Sequence, residues 1–141
     1  MLDYERLRQQ LIRHEGSSRT PYVDSVGKVT IGVGRNLEDN GLSENEVLML
    51  LDNDIRTAEQ DARALVPDFG QLTDVRQRVI IDMAFNLGRA RLAGFRKFLA
   101  AVQIQDYVTA REEMLDSKWA RQVKGRAGRL ANMMATGKDF E

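Results

Sequence analysis

The 141-residue sequence contains no cysteine, two prolines and a single histidine, His14. Without cysteine there is no disulfide framework, no thiolate metal site and no cysteine nucleophile. One histidine leaves little from which to build a zinc or iron centre, so no metal or organic cofactor is expected. No run approaches the about 20 consecutive apolar residues that a membrane span requires. The start, Met1-Leu2-Asp3-Tyr4-Glu5-Arg6, lacks the basic-then-apolar layout of a secretory signal, which points to cytosolic synthesis. What is present, 43% hydrophobic and 30% charged residues, is the composition of a globular chain rather than a disordered one. The length suits one domain, or two small lobes within one.

Basic and acidic residues balance at 21 each, but unevenly along the chain. Residues 1–70 hold eight Lys/Arg against thirteen Asp/Glu, and residues 71–141 reverse those counts. Lys118, Arg121, Lys124, Arg126 and Arg129 follow one another with no acid between them. A solvated helix face accounts for such a run, and a pI near 6.6 argues against a dedicated nucleic-acid binder.

Tyr4, Leu7 and Leu11 recur at helical spacing, predicting an amphipathic helix over about 3–15 with Gly16 as its left-handed C-terminal cap. The rhythm then changes. Val29, Ile31 and Val33 alternate with Lys28, Thr30 and Gly32, the period of a half-buried strand, and residues about 20–35 read as a β-hairpin turning at Ser25–Lys28. Asn36 to Leu42 reads as a polar loop. Ser43 with Glu46 forms a capping-box pattern, and the apolar face from Val47 to Leu65 predicts one long helix that Pro67 stops. Further helices are expected at about 73–87, 94–103, 106–116 and 126–136. The order is that of an α+β chain with its strands near the start.

Three residues could carry chemistry. Glu15 falls at the last turn of the first helix, where the negative end of the helix dipole disfavours a carboxylate and favours its protonated form. That is the state a general acid needs, although such a glutamate can also be simply exposed. Asp24 follows at the start of the hairpin turn, as a second carboxylate or as an ordinary turn-former. Thr30 lies on the strand face opposite Val29 and Ile31, as a cleft hydroxyl or as a strand-former.

Taken together, His14-Glu15-Gly16 and the run from Tyr22 through Asp24, Gly27, Thr30 and Gly32 to Gly34 resemble the signature of the phage-type lysozymes, the family of the T-even bacteriophage enzyme. The likeness continues through Phe85-Asn86-Leu87-Gly88, Ala93-Gly94-Phe95 and Ser117-Lys118-Trp119, with Arg126 and Arg129 following. The resemblance implies a lysozyme-like α+β fold as a single domain over 1–141. In it a small hairpin lobe (15–42) and a larger helical lobe (1–14 and 66–141) are joined by a long helix (43–65). It implies a muramidase that cuts the β-1,4 bond between N-acetylmuramic acid and N-acetylglucosamine by an inverting two-carboxylate mechanism. Glu15 would be the general acid, Asp24 the second carboxylate and Thr30 the residue that helps place the water. Arg126 matches the family arginine that pairs with the catalytic glutamate, and the first helix is expected to pack on the helical lobe, which would bring Arg126 near Glu15. The chain departs from the family at Arg35, where histidine is frequent, and in a shorter segment from Arg35 to Ser43.

The implied partner is peptidoglycan. With no signal, the enzyme would wait as a monomer in the host cytoplasm until a holin opens the membrane to the periplasmic wall. A lytic transglycosylase sharing the fold, and a catalytically silent wall-binding domain, are the alternative readings. Phe85 and Trp119 could stack on sugar or pack in a core, and Asn86 could contact sugar amides or satisfy a turn. His14 near Ser17 and Asp24 does not make a hydrolase triad, because no nucleophile-elbow pattern surrounds Ser17. Gly32-Val33-Gly34 lacks the third glycine of a dinucleotide fingerprint, where Leu37 stands.

Overall fold

Asp3 opens the first helix of the computed structural model, which describes residues 1–139. Its side chain accepts from the Arg6 N–H at 3.0 Å, and α1 then runs from Tyr4 to Glu15. Gly16 ends it with φ 76° and ψ 177°, a pairing that needs glycine but is not the left-handed helical cap expected; its N–H still reaches the Ile12 carbonyl at 2.8 Å. Three antiparallel strands follow, where the sequence predicts two. They are β1 (Ser18–Val23), β2 (Val29–Gly32) and β3 (Arg35–Asn36), in the order β1-β2-β3. The register pairs Val23 with Val29, Tyr22 with Thr30 and Ser18 with Gly32. Four steps along β1 therefore oppose two along β2, and β1 is bulged between Ser18 and Tyr22. Pro21 is tolerated there because β1 is an edge strand.

The expected polar loop contains a helical turn, α2 (Leu37–Asn40). Asn36 caps it by accepting from the Asp39 N–H at 3.0 Å, and Glu38 of α2 accepts from the Val29 N–H of β2 at 2.9 Å. Four residues are too few to show a helical period, so only the cap could have signalled it. The capping box opening α3 (Glu44–Leu65) forms as expected. The Ser43 N–H donates to Glu46 Oε1 at 2.8 Å, and the Glu46 N–H donates to Ser43 Oγ at 3.2 Å.

Beyond Pro67 come a 3-10 turn (Phe69–Gln71), α4 (Asp74–Leu87), α5 (Arg89–Ala93), α6 (Arg96–Gln103), α7 (Tyr107–Leu115), α8 (Lys118–Val123) and α9 (Gly125–Thr136). The short helices α5 and α8 carry no apolar period in the sequence. Ser117 caps α8 by accepting from the Ala120 N–H, and Trp119 anchors it in the core, so the start of the basic run is a packed helix.

Contacts divide the chain into two units, Met1–Met49 and Leu50–Glu141, with the division inside α3. The second unit is organised around Val79, Ile80 and Met83 of α4, Phe98 of α6, Met114 of α7 and Met134 of α9, all buried. Each such side chain contributes about 1.5–3 kcal/mol by leaving water. Phe95 stands edge-on to both Phe98 and Trp119, with centroids 6.4 and 6.3 Å apart. Arg76 closes the end of α9, donating to the carbonyls of Met134 (2.8 Å) and Ala135 (3.1 Å) while its guanidinium lies 3.6 Å from the Tyr107 ring centroid.

Candidate active site

Glu15, Asp24 and Thr30 all belong to the first unit, each presented by a different element. Glu15 is the last residue of α1 and is exposed; within its unit its carboxylate has no hydrogen-bond or ion-pair partner. A methyl group built on Gly34 would meet Glu15 Oε2 at 3.3 Å, so the carboxylate lies against the open face of that glycine. Gly34 also sits at φ 74°, which favours glycine on conformational grounds alone.

Asp24 holds the hairpin turn. Oδ1 accepts from the Val26 N–H at 3.0 Å and the Lys28 N–H at 2.8 Å, while the Asp24 N–H donates to the Lys28 carbonyl at 2.9 Å. Both side-chain bonds fall on one oxygen, and Oδ2 carries none within the unit. Turn-forming and a chemical role are therefore compatible in one carboxylate. Thr30 sits on the central strand between Tyr22 and Asn36, and at 3% exposure it is the one buried polar residue among those described. Its hydroxyl donates to the Lys28 carbonyl at 2.9 Å, which leaves the oxygen free to accept. Lys28 thus joins the two residues, through its N–H to Asp24 and its carbonyl to Thr30.

Phe85, Asn86 and Arg126 lie in the second unit. Phe85 and Arg126 line one groove of about 730 Å³ together with Ile81, Leu130 and Met133. Arg126 donates through Nε (3.0 Å) and Nη2 to Asp82 Oδ1, an ion pair within that unit. Asn86 turns its carbonyl to Trp119, accepting from the indole N–H at 2.8 Å, and Trp119 itself is core. Among the described residues no cluster of acids and histidine is arranged to hold a metal ion, and no helix is long and apolar enough to cross a membrane.

Two features of the first unit have no signal in the sequence. The Glu15–Gly34 contact has no local signal, because the residues lie on different elements. Arg35 and Glu46, eleven residues apart and in no shared period, form an ion pair at 2.7 Å.

The profile of the family described as phage lysozyme matches residues 12–134 of this chain, which include Glu15, Asp24, Thr30, Phe85, Asn86 and Arg126. The chain belongs to the phage lysozyme family. Its mostly helical build with a small N-terminal sheet is the α+β lysozyme-like fold. Relatives include the pre-baseplate central spike protein Gp5 of Enterobacteria phage T4, 27% identical over 92% of this chain. The chain spans only 27% of that protein's length. Two proteins of Dictyostelium discoideum, probable T4-type lysozymes 1 and 2, are 24% and 21% identical, over 93% of this chain and 94% of their own length.

Proposed function

We propose that this member of the phage lysozyme family is an N-acetylmuramidase. It hydrolyses the β-1,4 bond between N-acetylmuramic acid and N-acetylglucosamine in bacterial peptidoglycan, with inversion at the anomeric carbon. Glu15 gives its proton to the departing glycosidic oxygen. Asp24, through Oδ2, steadies the positive charge that grows on the sugar ring and the water that attacks its anomeric carbon; Thr30 helps place that water. The water's oxygen forms the new bond to carbon, the leaving sugar keeps the electron pair of the broken bond, and the water's spare proton passes to the carboxylate side.

The observation that carries this reading is the state of Glu15. It is a carboxylate at a helix end with no bonding duty in its unit, seated against a glycine, in the same unit as a half-occupied aspartate and a buried threonine hydroxyl. Phe85, the amide nitrogen of Asn86 and Arg126 are proposed contacts for the glycan. We also propose that the chain acts as a monomer without a cofactor and reaches the wall after a holin opens the membrane. The excess of basic residues after residue 70 would favour the anionic wall, an attraction that weakens with salt.

The test is the clearing of purified peptidoglycan by wild type and Glu15→Gln, followed by reducing-end analysis. Wild type should release new reducing ends and Glu15→Gln should not. Anhydromuramic ends would replace hydrolysis by transglycosylation, and binding without product release would make the chain a silent wall-binding domain.

A further inference from the structure

Arg35 is outside the catalytic set, yet its side chain joins three segments of the first unit. From β3, Nη1 donates to the Gly41 carbonyl just past α2 at 3.2 Å and to Glu46 Oε1 on the first turn of α3 at 2.7 Å. The same Glu46 oxygen receives the Ser43 N–H, so the arginine is tied into the cap of the long helix. These bonds hold the Glu46 carboxyl down to about 2, with the Arg35 hydrogen bond the largest cause. On its other side the Arg35 backbone pairs with Ile31 of β2. Its chain neighbour is Gly34, the residue against which the Glu15 carboxylate lies. The strand is thus pinned from the sheet and from the α2–α3 corner, one residue from the glycine whose open face the Glu15 carboxylate lies beside.

We propose that Arg35 is a positioning residue for the glycosidase reaction. By tying β3 to the first turn of α3 through Glu46, it fixes the Gly34 backbone beside which the Glu15 carboxylate donates its proton. The inference rests on the reading of Glu15 as general acid. Misplacing a reacting group by about 1 Å can cost on the order of 10²-fold, so Arg35→Ala should lower kcat about 10- to 100-fold while KM stays within about twofold. Arg35→Lys, which keeps the charge, should regain part of that loss.

The decisive measurement compares two substrates on the whole chain. One is purified peptidoglycan, whose leaving oxygen needs a proton. The other is the muramic-acid-terminated disaccharide with dinitrophenolate at the anomeric carbon, a group that departs with its electron pair unprotonated while water adds to the carbon. Glu15→Gln should fail on the first and keep most of its rate on the second. Arg35→Ala and Glu46→Ala should show the same split, more weakly, with wild-type circular dichroism. Equal loss on both substrates by the Arg35 variant would reduce the clamp to a fold-stabilising contact, and an unchanged kcat on peptidoglycan would overturn the inference outright. Should Arg35→Ala fail to fold, Arg35→Lys and Glu46→Ala carry the same comparison. If instead Glu15→Gln loses equally on both substrates, the general-acid reading falls first and takes the role of Arg35 with it.

Discussion

Among the described residues of Met1–Met49, Thr30 is the one buried side chain, whereas every buried apolar side chain of the core lies beyond Leu50. The first unit is held instead by directed polar contacts: the Asp24 turn, the Asn36 and Ser43 caps, and the Lys28–Asp39 and Arg35–Glu46 pairs. Each such contact exchanges water for a protein partner, so it nets less than one large apolar side chain withdrawn from water. The difference teaches where each task resides. Residues proposed for the bond-breaking step lie where little apolar packing depends on them, and the buried apolar side chains that secure the larger unit lie where no such step is proposed.

Four substitutions sharpen or break that contrast. Glu15→Gln should cost about 10²–10⁴-fold in peptidoglycan hydrolysis with no change in Tm, because its carboxylate makes no hydrogen bond or ion pair in its unit and glutamine fills the same space beside Gly34; a lowered Tm would blur the division. Phe98→Ala should do the reverse, removing a ring that is 1% exposed and costing about 3–5 kcal/mol in urea unfolding while each folded molecule keeps its turnover. Arg76→Ala strips the end of α9 of its donor and Tyr107 of its cation, which should cost about 1–3 kcal/mol by the same measurement.

The smallest effect concerns acid. Glu46 titrates lower in the folded chain than unfolded, so the stability it lends is complete above the ordinary carboxyl value of 4.5 and drains away as pH falls towards about 2. Glu46→Gln should therefore lower thermal stability slightly at neutral pH, with the gap to wild type closing as pH falls towards about 2, so that its acid slope is shallower. A wild-type acid slope in that variant would show that other carboxyls govern the window.

Much of this was legible in the sequence because it is periodic or local. The apolar spacing marks α1, α3, α4, α6, α7 and α9, and the Ser43–Glu46 box marks the start of α3 to the residue. Elements of four to six residues, α2, α5 and α8, hold too few turns for a period to emerge. Glu15, Asp24 and Thr30 could be named because their spacing is a matter of chain positions. Their surroundings could not, since the seat of Glu15 on Gly34 and the bond from Arg35 to Glu46 arise only when separate elements meet. Alternation set the face of Thr30 but not its burial, which follows from its place on the middle strand of three.

The aspartate at the hairpin has divided loyalties. One of its oxygens is spent on architecture, and the other has no such employment. An asparagine in that place could present the same acceptor to both amides and keep the bend, yet it would carry no anion. Form and reactivity at this corner can therefore be lost one at a time, and a lineage could abandon the second while conserving the first.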